Sequence, residues 1–147
     1  MAAIVLDVVS SGSAVYFCPS GPSPEPAVRQ PLKWGSDERL GKMVEDVCGE
    51  QNLAHIRSKA LGYTDQRSFW DYGLPSVWIA VLPEAKAHQL WLADNAKSAG
   101  LAPGLGDLSI IGAHSEGDTP DAVTPEAMAT AYNVVLSLVR KLDAEHQ

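Results

Sequence analysis

Only two cysteines, Cys18 and Cys48, occur in the 147 residues, and no Cys-x-x-Cys spacing is present. That excludes a zinc knuckle and a disulfide framework, and the pair fixes no redox compartment. Positive charge is scarce. Eleven Lys and Arg stand against eighteen Asp and Glu, a net charge of −7, and no basic cluster is present. Such a balance argues against nucleic acid and against an anionic membrane surface as partners. No apolar run is long enough to cross a bilayer. Met1 to Leu6 lack a basic n-region and are cut short by Asp7, so they do not read as a signal peptide. Repeats are missing. So is Gly-x-Ser-x-Gly, which removes the usual serine-hydrolase signature.

What is present reads as one globular domain spanning residues 1–147, with 46% apolar and 20% charged residues. Ala2 to Val9 is a β-branched apolar run, the pattern of a strand buried on both faces. Asp7 is out of place there. A carboxylate in such a strand must be paired, metal-bound or at the strand's end, because an isolated buried charge is too costly. A strand that stops at Leu6, with Asp7 capping the next segment, satisfies the same pattern. Ala14 to Cys18 forms a second strand, and Pro19 to Pro31, with five prolines, a loop.

Ser36-Asp37-Glu38 is a helix start, and Leu40, Met43, Val44 and Val47 follow at helical spacing to about Cys48. The acid pairs Asp37-Glu38 and Glu45-Asp46 suit the helix dipole and a solvated face. Tyr63 to Tyr72 forms a short helix capped by Thr64 or Asp65, stopped by Gly73-Leu74-Pro75. Ser76 to Leu82 is the clearest interior strand. Ala85 to Ala99 carries helix formers, with Trp91 expected as a buried anchor, and residues 100–106 are loop. Leu108 to Ala113 is a strand-like run that stops at His114. The last helix begins at a Thr124 cap with Pro125 and Glu126 behind it, and Met128, Ala131, Val135, Leu138 and Leu142 form its apolar face. Strands alternating with helices imply a three-layer α/β/α sandwich with a mixed, largely parallel sheet.

In open α/β sheets ligands bind at the carboxyl ends of the strands, so His114 is a candidate site residue. Asp118 and Asp121 offer carboxylates that would orient its imidazole through the second ring nitrogen. The competing reading is a plain turn built by Asp118, Thr119 and Pro120, with His114 exposed beside it.

Three stretches taken together resemble the co-catalytic zinc aminopeptidases of clan MH, which include aminopeptidase Y, transferrin-receptor-like proteins and glutaminyl cyclases. Ile4-Val5-Leu6-Asp7-Val8-Val9 is similar to the strand that delivers a zinc-ligand aspartate. Thr64 to Phe69, followed by Gly73-Leu74-Pro75, is similar to the family's middle block. His114-Ser115-Glu116-Gly117-Asp118-Thr119 is similar to the block carrying the final zinc-ligand histidine. The order and approximate spacing agree over nearly the whole chain.

The resemblance implies that Asp7 and His114 are metal ligands, that Asp118 orients His114, and that Asp65, Gly73, Pro75 and Trp78 line the substrate cleft. It implies a peptide substrate and two zinc ions in the complete domain. Departures are clear. No His-x-Asp and no Glu-Glu occurs, Gln66 stands in place of a histidine, and Ser10 in place of a glycine. The chain therefore resembles the C-terminal half of such a domain. A catalytic zinc needs about three protein ligands plus water, so this half alone is expected neither to hold zinc nor to cleave peptides. It is expected to self-associate or to pair with a complementing N-terminal segment. The alternative is a non-catalytic, peptidase-like protein-binding module. An unrelated enzyme using His114, Asp118 and Asp65 has no supporting serine or cysteine motif, and single-zinc cyclase chemistry needs the same absent ligands.

Overall fold

The computed structural model describes residues 1–22, 34–58, 65–70, 72–95 and 115–145. The expected strand over Leu108 to Ala113 and the residue His114 lie outside them. The chain forms β1 (Ala3–Val9), β2 (Ala14–Pro22), β3 (Trp34–Gly35), α1 (Glu38–Glu50), β4 (His55–Arg57), α2 (Gln66–Trp70), β5 (Ser76–Leu82), α3 (Glu84–Asp94) and α4 (Pro125–Ala144). Strand β5 lies between β1 and β2, and β2 also pairs with β3 and β4. β1 runs parallel to β5, β5 antiparallel to β2, and β2 parallel to β4. The fold is a three-layer α/β/α sandwich with a mixed sheet, in which β2 and β3 are antiparallel and two of the four described pairings are parallel.

Period-two alternation along β2 divides the core. Val15 and Phe17 face α1 and α4, joining Val44, Val47, Ile79, Val134 and Leu138. Ala14, Tyr16 and Cys18 face the other way, with Trp78, Ala80, Ala87 of α3 and Phe69 of α2. Strand β5, buried at every residue, supplies both faces. Its unbroken apolar run is what a central strand requires. The two cysteines sit in different clusters, on opposite sides of the sheet, and both are free thiols.

Helix α1 is specified by its cap and stripe. The Asp37 carboxylate accepts from the Leu40 amide at 2.9 Å, and Leu40, Met43, Val44 and Val47 are all buried. Its acids are matched outside: Arg57 reaches Glu38 at 2.8 Å and Glu45 at 3.5 Å, and Lys42 meets Asp46 at 3.0 Å. Helix α4 is capped by Thr124, whose hydroxyl accepts from the Ala127 amide at 3.2 Å, with Pro125 in its first turn.

Four expectations change. Among the described residues β1 is an edge strand with half-buried residues, not one buried on both faces. β2 runs on through Pro22, where a loop from Pro19 was expected. Pro19 is tolerated because it is in phase with Val15 and Phe17, whose main-chain groups bond residues 54–58. Its missing N–H therefore points to the β4 side, beyond the last registered pair at Phe17 and Arg57. The buried face of α4 is Ala127, Thr130, Ala131, Val134 and Leu138, leaving Met128 exposed. Trp91 is exposed too and stacks on His88, so it does not anchor the core.

Candidate functional site

Asp7 stands near the carboxyl end of β1, where the register with β5 shifts between Leu6 and Val9. Val8 takes a φ of 60°. This is a β-bulge: an extra residue changes the phase of the strand, so Val8 packs with the α2/α3 face and Val9 with α4. The bulge resolves the misfit in the sequence pattern. Asp7 leaves the apolar ladder and is exposed, with one carboxylate oxygen accepting from the Trp78 indole N–H at 3.3 Å. Trp78 itself is 9% exposed and meets Tyr16 edge-on at 6.0 Å.

The turn after β1 closes under constraint. Gly12 has a φ of +83°, and a Cβ there would lie 2.7 Å from the Pro83 Cα, so only glycine fits. Ser10, where the resemblance expects glycine, has its hydroxyl enclosed with no hydrogen-bond partner among the described residues. The Ser10 carbonyl accepts from the Thr124 amide at 2.8 Å. That bond ties the stretch leading into α4 to the carboxyl end of β1. Upstream of it, Ser115 to Thr119 form tight turns: the Asp118 amide donates to the Ser115 carbonyl and the Thr119 amide to the Gly117 carbonyl, both at 3.0 Å. Next comes a 3-10 turn over Pro120–Ala122. Asp118 is exposed.

The remaining residues expected at the cleft lie ahead of β5, on either side of α2. The Ala3 amide donates to the Pro75 carbonyl at 2.9 Å, which places Pro75 beside the start of β1. Asp7 is four strand positions further on, roughly 13 Å at the usual rise per residue. Gly73, with a φ of +67°, ends α2 through the Leu74 amide, which bonds the Phe69 carbonyl at 3.1 Å. Asp65 is exposed ahead of α2. Of these residues only Trp78 touches Asp7.

Two polar clusters were not legible in the sequence. Gln66, fully buried, donates its amide to the Cys18 and Ser76 carbonyls at 2.9 and 3.0 Å and lies 2.7 Å from the Ser20 hydroxyl. Asp94, at the end of α3, accepts from the Tyr16 phenol and from the Ser58 hydroxyl, the latter at 2.6 Å. Burial, reinforced by the hydrogen bond to Asp94, pushes the Tyr16 phenol far above its ordinary range. Burial likewise pushes the Cys18 thiol up to about 12. Both groups stay protonated at neutral pH, so neither is an activated nucleophile or base. The Asp94 cluster fastens α3 to β2. Period-two reading of β2 puts Tyr16 on the opposite face from Phe17, but no local signal links it to a helix end 78 residues away.

Among the described residues no group of three or more His, Cys, Asp or Glu is placed to hold a metal. They supply Asp7 as one oriented carboxylate, which is not a metal site by itself.

Neither a family model nor a curated protein matches the sequence. Among solved structures, a futalosine hydrolase mutant of Helicobacter pylori strain 26695 is similar, with a TM-score of 0.43 and 10% identity, over 95% of this chain and 68% of that one.

Proposed function

We propose that this chain is the C-terminal half of a zinc aminopeptidase catalytic domain, with Asp7 and His114 as metal ligands and Asp118 orienting the His114 ring. The observation that carries the reading is Asp7. A bulge lifts it out of an apolar strand, one oxygen is held by the Trp78 indole, and the carboxylate faces solvent at the strand's carboxyl end. Hydrogen-bonding partners of this kind fix the direction of a ligand before a metal arrives. Zinc, when bound in the complete domain, supplies an activated water for the scissile carbonyl at a free peptide N-terminus. The described residues do not gather enough donors to hold it, so no step is derived for this chain alone. A non-catalytic protein-binding module is the second reading, favoured by the exposed apolar residues Leu6 and Val139 at the β1 border.

The test is complementation. The chain is joined to the N-terminal half of a zinc aminopeptidase domain, and zinc content and aminoacyl-anilide cleavage are measured. Zinc binding and cleavage are expected to appear together and to be lost in Asp7→Ala and in His114→Ala. Trp78→Phe keeps the ring but removes the indole N–H, and is expected to weaken zinc binding by about 10–100-fold. Equal zinc content in His114→Ala sinks the role given to that residue. A folded, complemented protein without zinc favours the binding module.

A further inference from the structure

Among the described residues the outer edge of β1 has no partner strand. The Ala3 amide points to β5, so the main-chain groups of Ile4 and Leu6 point outward. Helix α4 runs antiparallel to β1: it starts beside Ser10, and near its end Val135, Val139, Leu142 and Asp143 line a groove of about 710 Å3 with Met1, Ala2 and Ile4. Beside its buried face α4 carries a second apolar row, Met128, Tyr132, Val135, Val139 and Leu142, at alternating steps of four and three. This is the spacing that packs one helix against another. The row is open: Met128 is 53% exposed, Tyr132 66% and Val139 49%, and Leu6 on the adjoining strand 45%.

We propose that this border, the edge of β1 that is unpaired among the described residues together with the outer row of α4, is the interface of a two-fold dimer of this chain. The inference does not rest on the aminopeptidase reading. One axis satisfies both elements, because α4 is antiparallel to the strand it overhangs. Pairing β1 with its copy about Ile4 sets Ala2 opposite Leu6 of the partner subunit, the outward groups meeting in an antiparallel ladder. The same axis then passes between Val135 and Val139, setting each against the other's copy and Tyr132 against the copy of Leu142. Like charges do not meet, since Asp143 falls opposite Ala131. The row from Met128 to Leu142 is about 21 Å long at the helical rise. With the strand edge it covers on the order of 1,200 Å2 in total, the low end for specific interfaces. A dissociation constant of roughly 10 µM is expected from so modest a contact.

Sedimentation and light scattering of the full chain between ~1 and ~300 µM test this. The mass is expected to rise from one chain to two and stop there, while amide exchange at Ile4 and Leu6 slows. Val139→Asp and, separately, Tyr132→Lys are expected to raise the dissociation constant at least ~100-fold with the circular dichroism unchanged. Trp91→Lys, on an exposed residue of α3, which packs on β2 and β4, is expected to leave it unchanged. A mass of one chain at every concentration overturns the proposal. So does growth past two chains, or a dimer that Val139→Asp and Tyr132→Lys do not weaken.

Discussion

Replacing Gln66 with leucine is expected to lower stability by about 3 kcal/mol, although the two side chains are close in volume and the site is fully enclosed. The loss comes from acceptors, not from packing. The Gln66 amide serves the carbonyls of Cys18 and Ser76, on two different strands, and the Ser20 hydroxyl between them. Leucine leaves these groups facing an apolar wall and removes a side-chain donor from each of the three, every lost bond costing about 0.5–1.5 kcal/mol even where the β2–β5 ladder still serves the carbonyl. Ser20 keeps its contact with the Ser76 hydroxyl at 3.2 Å, which holds the total below the upper end. Urea unfolding reads the effect as a lower midpoint at unchanged slope. A shift under about 1 kcal/mol would mean that the network closes over the gap, and that Gln66 does not fasten α2 to the sheet.

Gln66 also shows what a sequence hides. A glutamine in a short helix reads as solvated, and only β2 and β5 arriving beneath it turn it into a buried connector. The elements that were legible carry their reasons locally. Asp37 and Thr124 cap their helices with their own side chains, and Ser76 to Leu82 is apolar enough to declare a central strand. Choices that depend on a neighbour were not. The buried stripe of α4 passes through Val134 rather than Met128, because the helix lies over β1 and β5 with a second apolar row left outside. Pro19 breaks the strand pattern in sequence yet sits where β2 stays paired with Val77 of β5 and has run past its register with β4.

For the candidate site, the misfit of Asp7 in its strand was visible from composition alone, and the reason was not. The bulge and the indole that receives the carboxylate come from the register with β5 and from Trp78, 71 positions away. Of the residues grouped with Asp7, Trp78 on β5 donates to it and Pro75, just ahead of β5, lies beside Ala3.

At alkaline pH the protein is expected to lose stability steadily from about pH 9, well before its lysines discharge. Cys18 and Cys48 lie on opposite faces of the sheet, and burial pushes both thiols from 9.0 up to about 12. The Tyr16 phenol is raised beyond its ordinary value by the same desolvation. All three shifts act in one direction. Below the unfolded-state value each group is protonated in both states and stability is unaffected. Between that value and the folded one the unfolded chain releases its proton while the native chain cannot, so stability falls as pH rises. The slope is at most about 1.4 kcal/mol per pH unit for each thiol, less where solvent reaches the site. Over two pH units that approaches the margin of about 5–15 kcal/mol that holds ordinary domains folded. Unfolding midpoints between pH 7 and 11 are expected to fall only above pH 9, and native thiols to resist a disulfide reagent at pH 8. Cys18→Ala with Cys48→Val should flatten the first part of that fall and leave the part above pH 10, which belongs to Tyr16. An unchanged profile in the double variant would place the alkaline transition elsewhere in the molecule.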